Sequence, residues 1–237
     1  MNPDTERTGH ASHTHHAGHP DQAVRAALRL LREHGADTLD HPGGTLLAHL
    51  ERVQQQLARW GARPALQLAG LCHAFYGTDG FAPVLLPPDR REPLRAAIGP
   101  EAEAVVHFYA SCDRRATYPV LTDPAMRFTD RFTGIGRVPA RQEKQDFAEL
   151  TAANELDIAR IDDAFRERCG ADLLKLFTRF GPLLSPAARQ DCTAVLDRSV
   201  SRPLLPPPLL SPPSGTPPSP RPPAAAPRSD PGPGGRR

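Results

Sequence analysis

TLLAHLERVQQQLARWG (Thr45–Gly61) carries the clearest structural instruction in the chain. Leu46, Leu50, Val53, Leu57 and Trp60 recur at spacings of four, three, four and three, which puts them in one apolar stripe along an α-helix. Thr45 stands where a side chain caps the first helical N–H groups, and Gly61 where a helix ends. Such a stripe needs a partner, and the next segment supplies one. Pro64 opens a short helix, Ala65 to about Phe75, in which Leu66, Leu68, Ala69, Leu71 and Cys72 leave little polar surface. The turn Tyr76-Gly77-Thr78-Asp79-Gly80 stops it.

Outward from this pair the pattern stays helical. Asp21 is placed to cap a helix whose Val24, Ala27, Leu28 and Leu31 share a face, and which stops at Gly35. Downstream, Pro93–Ile98 reads as one or two turns and Glu101–Ser111 as a longer helix. Arg115–Pro139 has no steady period and is punctuated by Pro119, Pro124, Gly134 and Gly136. A loop this long inside a compact domain is often functional. Helices are predicted again over Arg141–Arg168, 171–180 and 186–199, the last with Ser185 as N-cap and Pro186 at its first position. No alternating run is long enough for a confident strand, so an all-α, compact helical bundle is expected over residues 21–200.

The two ends read differently. Of 28 prolines, 14 lie between Pro203 and Pro233, so 201–237 is expected to be a disordered, Pro-rich tail that could bind a protein partner. His10, His13, His15, His16 and His19 crowd residues 1–20, a His-rich arm also expected to be disordered. A net charge of +2 with scattered basic residues gives no sign of nucleic-acid binding, and no segment is apolar enough for a membrane span. Cys72, Cys112, Cys169 and Cys192 have neither CxxC pairing nor zinc-finger spacing, and no secretory leader is read, so reduced thiols in a cytoplasm are expected.

The polar residues of the best helices are the functional candidates. His49 lies at the edge of the apolar stripe and His73 at the end of the following buried helix, where antiparallel packing can bring them together. Each is either a metal ligand or a core histidine with one hydrogen bond. Tyr76, Gly77 and Thr78 could line a pocket or hold a turn. Asp113-Arg114 and Asp130-Arg131 flank the long loop, and arginine's planar fork suits an anionic ligand or an acidic residue of a neighbouring helix. Asn154 and Asp157, three apart, share one side of a helix and demand partners, which His49 or His73 would satisfy.

HPGGTLLAHLERV (His41–Val53), Trp60-Gly61 and AGLCHAFYGTDGF (Ala69–Phe81), with the later Cys112–Arg114, Asp130–Phe132 and Ala153–Asp157, resemble an uncharacterised family described only as a domain of unknown function, number 6817. That resemblance implies no activity. More distantly, the layout is similar to the HD superfamily of helical, metal-dependent phosphohydrolases, in which a His on one helix precedes a His-Asp pair ending the next. His49 matches the first His, His73 the His of the pair, Gly43 a glycine preceding the first His in the alarmone hydrolases, and Asn154 or Asp157 the final position. Ala74 stands where the pair has its Asp, and Gly77 and Thr78 replace acidic residues that follow it.

The resemblance implies an HD-like bundle in which His41, His49, His73, Asn154 and Asp157 are candidate ligands of Zn, Fe or Mn. Asp79, Arg114 and Arg131 are the catalytic candidates, and Tyr76, Thr78, Asp113 and Asp130 the pocket candidates, for a water activated against a phosphoester substrate. The alternative expectation, which Ala74 favours, is a non-catalytic domain whose polar set forms a ligand pocket or a rigid network.

Overall fold

The computed structural model describes residues 20–81 and 83–197. Their elements run α1 (Pro20–Glu33), β1 (Asp40–His41), β2 (Gly44–Thr45), α2 (Leu46–Arg59), α3 (Pro64–Cys72), α4 (Glu92–Ile98), α5 (Pro100–Ala110), α6 (Arg114–Thr117), β3 (Phe128–Thr129), β4 (Gly136–Arg137), α7 (Arg141–Ile161), α8 (Asp163–Phe180) and α9 (Pro186–Leu196). The described part is therefore mostly helical. The His-rich arm, up to Pro20, and the Pro-rich tail lie outside the described residues.

α2 forms where its stripe predicts. Thr45 accepts a hydrogen bond from the Ala48 N–H, satisfying one of the donors a helix start leaves open. Leu50, Val53 and Leu57 are fully buried, and each such side chain contributes on the order of 1.5–3 kcal/mol by leaving water. α2 lies between α3 and α7, which supply Leu71, Phe147, Leu150 and Leu156 to the same core. α3 also packs on α1 and α5, and α7 on α5, α8 and α9. Gly70 permits the close approach of α2 and α3: a Cβ there would stand 2.5 Å from Leu57 Cδ1.

Three expectations are corrected. α3 ends at Cys72, and His73–Tyr76 form a turn in which the Phe75 N–H reaches the Cys72 carbonyl. Arg141–Arg168 is two helices rather than one. Asp162 leaves helical geometry (φ −111°, ψ 99°), and its side chain accepts from the Phe165 N–H at 2.9 Å, so it stops α7 and caps α8. The segment 115–139 holds the end of α6 and the antiparallel pair β3–β4, whose register joins Phe128 to Arg137. A second two-residue pair, β1–β2, turns through Pro42-Gly43 and brings His41 back over α2. No helix among the described residues is long and apolar enough to cross a membrane.

Because Leu57 is fully enclosed and cannot swing away, Gly70→Ala is expected to destabilise the domain by about 1–3 kcal/mol. Urea unfolding measures this, and a loss below about 0.5 kcal/mol would mean that the α2–α3 contact relaxes freely.

Candidate functional site

The β1–β2 turn, the ends of α3 and α7, and the first turns of α8 enclose a cavity of about 380 Å³. His49 faces it from α2 and is 1 % exposed. Its Nδ1 is hydrogen-bonded to Asp157 Oδ2 at 2.7 Å and its Nε2 to the Asn154 side-chain amide at 3.1 Å. The orientation of the Asn154 amide follows from its other side, where Nδ2 donates to Glu155 Oε1 at 3.2 Å. With both ring nitrogens engaged by α7, His49 has none free for another ligand.

Asp157 is the centre of this network. Arg52, one helical turn after His49, grips it through Nε at 2.8 Å and Nη2 at 2.9 Å, and Nη2 also reaches the Pro42 carbonyl at 3.3 Å. Burial acts to raise the pKa of Asp157, but the hydrogen bonds from His49 and Arg52 prevail and hold it below the ordinary carboxylate value. One carboxylate thus ties α2 to α7 directly and to the β1–β2 turn through Arg52. That turn is tight: Gly43 has φ +80°, and a Cβ there would meet Ile161 Cγ2 at 2.7 Å.

His73 is organised differently. Its Nδ1–H donates to the Gly70 carbonyl at 2.8 Å, which leaves Nε2 with the ring's lone pair and no protein partner among the described residues. Burial, then the neighbouring His49, pushes its pKa down to about 3, so the ring is neutral at ordinary pH. His41 stacks on His49 with centroids 4.0 Å apart, and burial followed by the same neighbour lowers it to about 4. His49 and His73 meet edge to face at 5.4 Å.

Of the residues singled out in the sequence, His41, His49, His73, Thr78, Arg114 and Asn154 line the cavity, and Asp157 stands behind His49. Arg114 is held there by Glu155 at 3.1 Å and by the Tyr109 hydroxyl at 3.2 Å. The others do not line it. Tyr76 donates to Glu103, which Arg91 clamps through two hydrogen bonds. Asp113 caps α6, Asp130 accepts from the Phe132 and Thr133 N–H groups, and Asp79 accepts from the Arg114 N–H. Arg131 donates to the Ala110 carbonyl at 2.7 Å. Unforeseen contributors are Arg52 in the network, and Glu155, Phe165 and Arg168 on the cavity wall.

The donors are not gathered as a metal set. Among the described residues no group of three or more His, Cys, Asp or Glu side chains is arranged to hold a metal ion. The reasons are visible: both nitrogens of His49 are engaged, the stacked His41 and His49 rings present faces to each other, and Asp157 is already matched by a guanidinium.

Residues 30–114 match the model of a family described as Domain of unknown function (DUF6817). That stretch runs from α1 through the start of α6 and contributes His41, His49, His73, Thr78 and Arg114, whereas Asn154 and Asp157 lie beyond it. No curated protein and no solved structure matches the chain.

Two outcomes follow from this geometry. Asp157→Ala leaves His49 and Arg52 without their buried acceptor, and a loss of about 3–5 kcal/mol is expected in urea unfolding; a loss near 1 kcal/mol would mean that the network is dispensable. His73 binds its proton in the unfolded chain near pH 6.5 but in the folded chain only near 3. Between those values the unfolded state carries the extra proton, so stability falls as pH falls, by up to about 1.4 kcal/mol per pH unit. His73→Asn, which keeps a donor toward Gly70, should flatten the unfolding midpoint against pH between pH 6 and 4, and parallel profiles would overturn the assignment.

Proposed function

We propose that the domain is a non-catalytic small-molecule-binding module whose site is the cavity between α2, α3, α7 and α8. One observation carries the reading: His73 Nε2 is an unshared acceptor on the cavity wall, while His49, Asn154, Glu155, Asp157 and Arg114 are matched to one another. An acceptor left without a protein partner on a cavity wall is where a guest's donor can bind. The absence of a carboxylate at Ala74, which also lines the cavity, supports binding over hydrolysis. Four free cysteines support a reducing, cytoplasmic setting.

The alternative is an HD-like, metal-dependent phosphoester hydrolase, favoured by one feature. The Nδ1–H to carbonyl bond of His73 is the arrangement that commonly orients a metal-ligating imidazole. For that role Asn154 would have to release His49, and Arg52 would have to yield Asp157.

An amide-shift screen of the full chain against a general fragment set tests the first reading. Bound fragments are expected to move the Thr78, Gly80 and Phe81 amides together, and a screen in which none does so would overturn it. Elemental analysis of the same protein and of His73→Asn tests the alternative, since the His-rich arm is common to both. One equivalent of Zn, Fe or Mn lost in the variant would make the metal reading primary.

A further inference from the structure

Two rings on the cavity wall hold their hydrogens in the same way. His73 Nδ1–H donates to the Gly70 carbonyl at 2.8 Å, and His41 Nδ1–H to the Pro42 carbonyl at a longer 3.4 Å. A carbonyl oxygen only accepts, so in each ring Nδ1 carries the hydrogen and Nε2 the lone pair. Neither Nε2 meets a protein partner among the described residues. Burial, and after it the neighbouring His49, lowers the pKa of both, to about 4 in His41 and about 3 in His73. Both lone pairs therefore persist at ordinary pH.

His49 cannot play this part, since Asp157 and Asn154 engage its two nitrogens. It brings the other two rings together instead. His41 stacks on it with centroids 4.0 Å apart, and His73 meets it edge to face at 5.4 Å. The volume, about 380 Å³, lies at the small end of ligand sites, which run from roughly 300 to 1,000 Å³, so one guest meets both rings. The carboxylates on the wall already have partners: Glu155 accepts from Arg114 and Asn154, and Asp162 from the Phe165 N–H. Two neutral acceptors in one small pocket call for two donors, because a guest that cannot donate strips them of water and returns nothing.

We infer that this pocket takes a small compound with two N–H or O–H donors, one directed at His41 Nε2 and the other at His73 Nε2. The inference rests on the pocket reading above and adds the ligand's class to it. Such a guest ties the β1–β2 turn, which carries His41, to the end of α3, which carries His73.

The three dihydroxybenzenes test it with the full chain, in chelator so that no metal ion competes for the imidazoles. They differ in the separation of their two O–H donors. They are also uncharged, which suits a wall bearing Arg114 and Arg168 as well as Glu155 and Asp162. Binding is followed by the Gly43, Gly44, Thr78, Gly80 and Phe81 amide shifts. The isomer that binds best is then compared with its monomethyl and dimethyl ethers, which cap one donor and both. Each cap is expected to weaken binding about fivefold, the worth of one net hydrogen bond. In His41→Phe, which keeps a ring against His49 but no acceptor, the first cap should cost nothing, whereas a steric effect of the methyl group would persist. The wild-type series stands as a test whether or not that variant folds. Ethers that bind as well as the parent, a loss confined to the second cap, or a His41→Phe protein with the wild-type ratio would overturn the inference. If all three isomers fail while other fragments move the same amides, the two-donor class falls and the pocket reading stands. If no fragment of any kind does so, both fall.

Discussion

The Asp157 carboxylate receives hydrogen bonds from His49 and Arg52 at distances of 2.7–2.9 Å, and most of the site's geometry descends from that meeting. A carboxylate that is 8 % exposed is unfavourable unless its lone pairs are met, and here two cationic-capable side chains from a neighbouring helix meet them. The consequence is mechanical as well as electrostatic. α2 and α7 are locked in register, Arg52 extends the lock to the Pro42 carbonyl, and the β1–β2 turn is held so that His41 lies flat on His49. Gly43, whose position beside Ile161 leaves no room for a Cβ, lets that turn lie against the end of α7.

The same lock explains why the histidines divide into two kinds. His49 spends both nitrogens on α7 and becomes part of the frame. His73 is anchored through its own chain, by the Gly70 carbonyl one turn earlier, so its remaining nitrogen is free of the frame. Side chains that satisfy each other rigidify a site, whereas a group left open on a cavity wall defines what the site can accept. The chemistry therefore lies in the asymmetry between two similar residues on adjacent helices.

How much of this was legible beforehand depended on distance along the chain. α2 and its caps were readable because a helix stripe and an N-cap are local signals. The convergence of His49 with Asn154 and Asp157 was half legible: the spacing of the α7 pair shows a shared side that needs partners, but not which partner. Arg52 escaped notice because an arginine on a helix otherwise rich in polar residues reads as solvated, and its acceptor lies 105 residues away. Asp79, Asp113 and Asp130 attracted functional readings for the opposite reason. Asp113 and Asp130 accept from backbone N–H groups two or three residues on, the ordinary occupation of Asp at such positions, and Asp79 accepts from the distant Arg114 N–H at the start of α6. The Asp162 break was available as an N-cap signal, but polar residues continuing the helical pattern masked it. With that break unseen, Phe165 and Arg168 could not be placed on the cavity wall.

Ala74 gains its meaning from this arrangement. A carboxylate in its place would stand beside His73 and the cavity, where it would offer a third donor to a cation and favour a protonated imidazole. With Ala74 there, the hydrogen bond to the Gly70 carbonyl is too little to offset the burial of His73 and its proximity to His49, and the ring stays neutral. The neutrality of His73 is thus a product first of its burial and then of the His49 that Asp157 holds against it, with no carboxylate at Ala74 to oppose them. Changing Ala74 alters what the cavity can recognise, whereas changing His49 also removes a tie between α2 and α7.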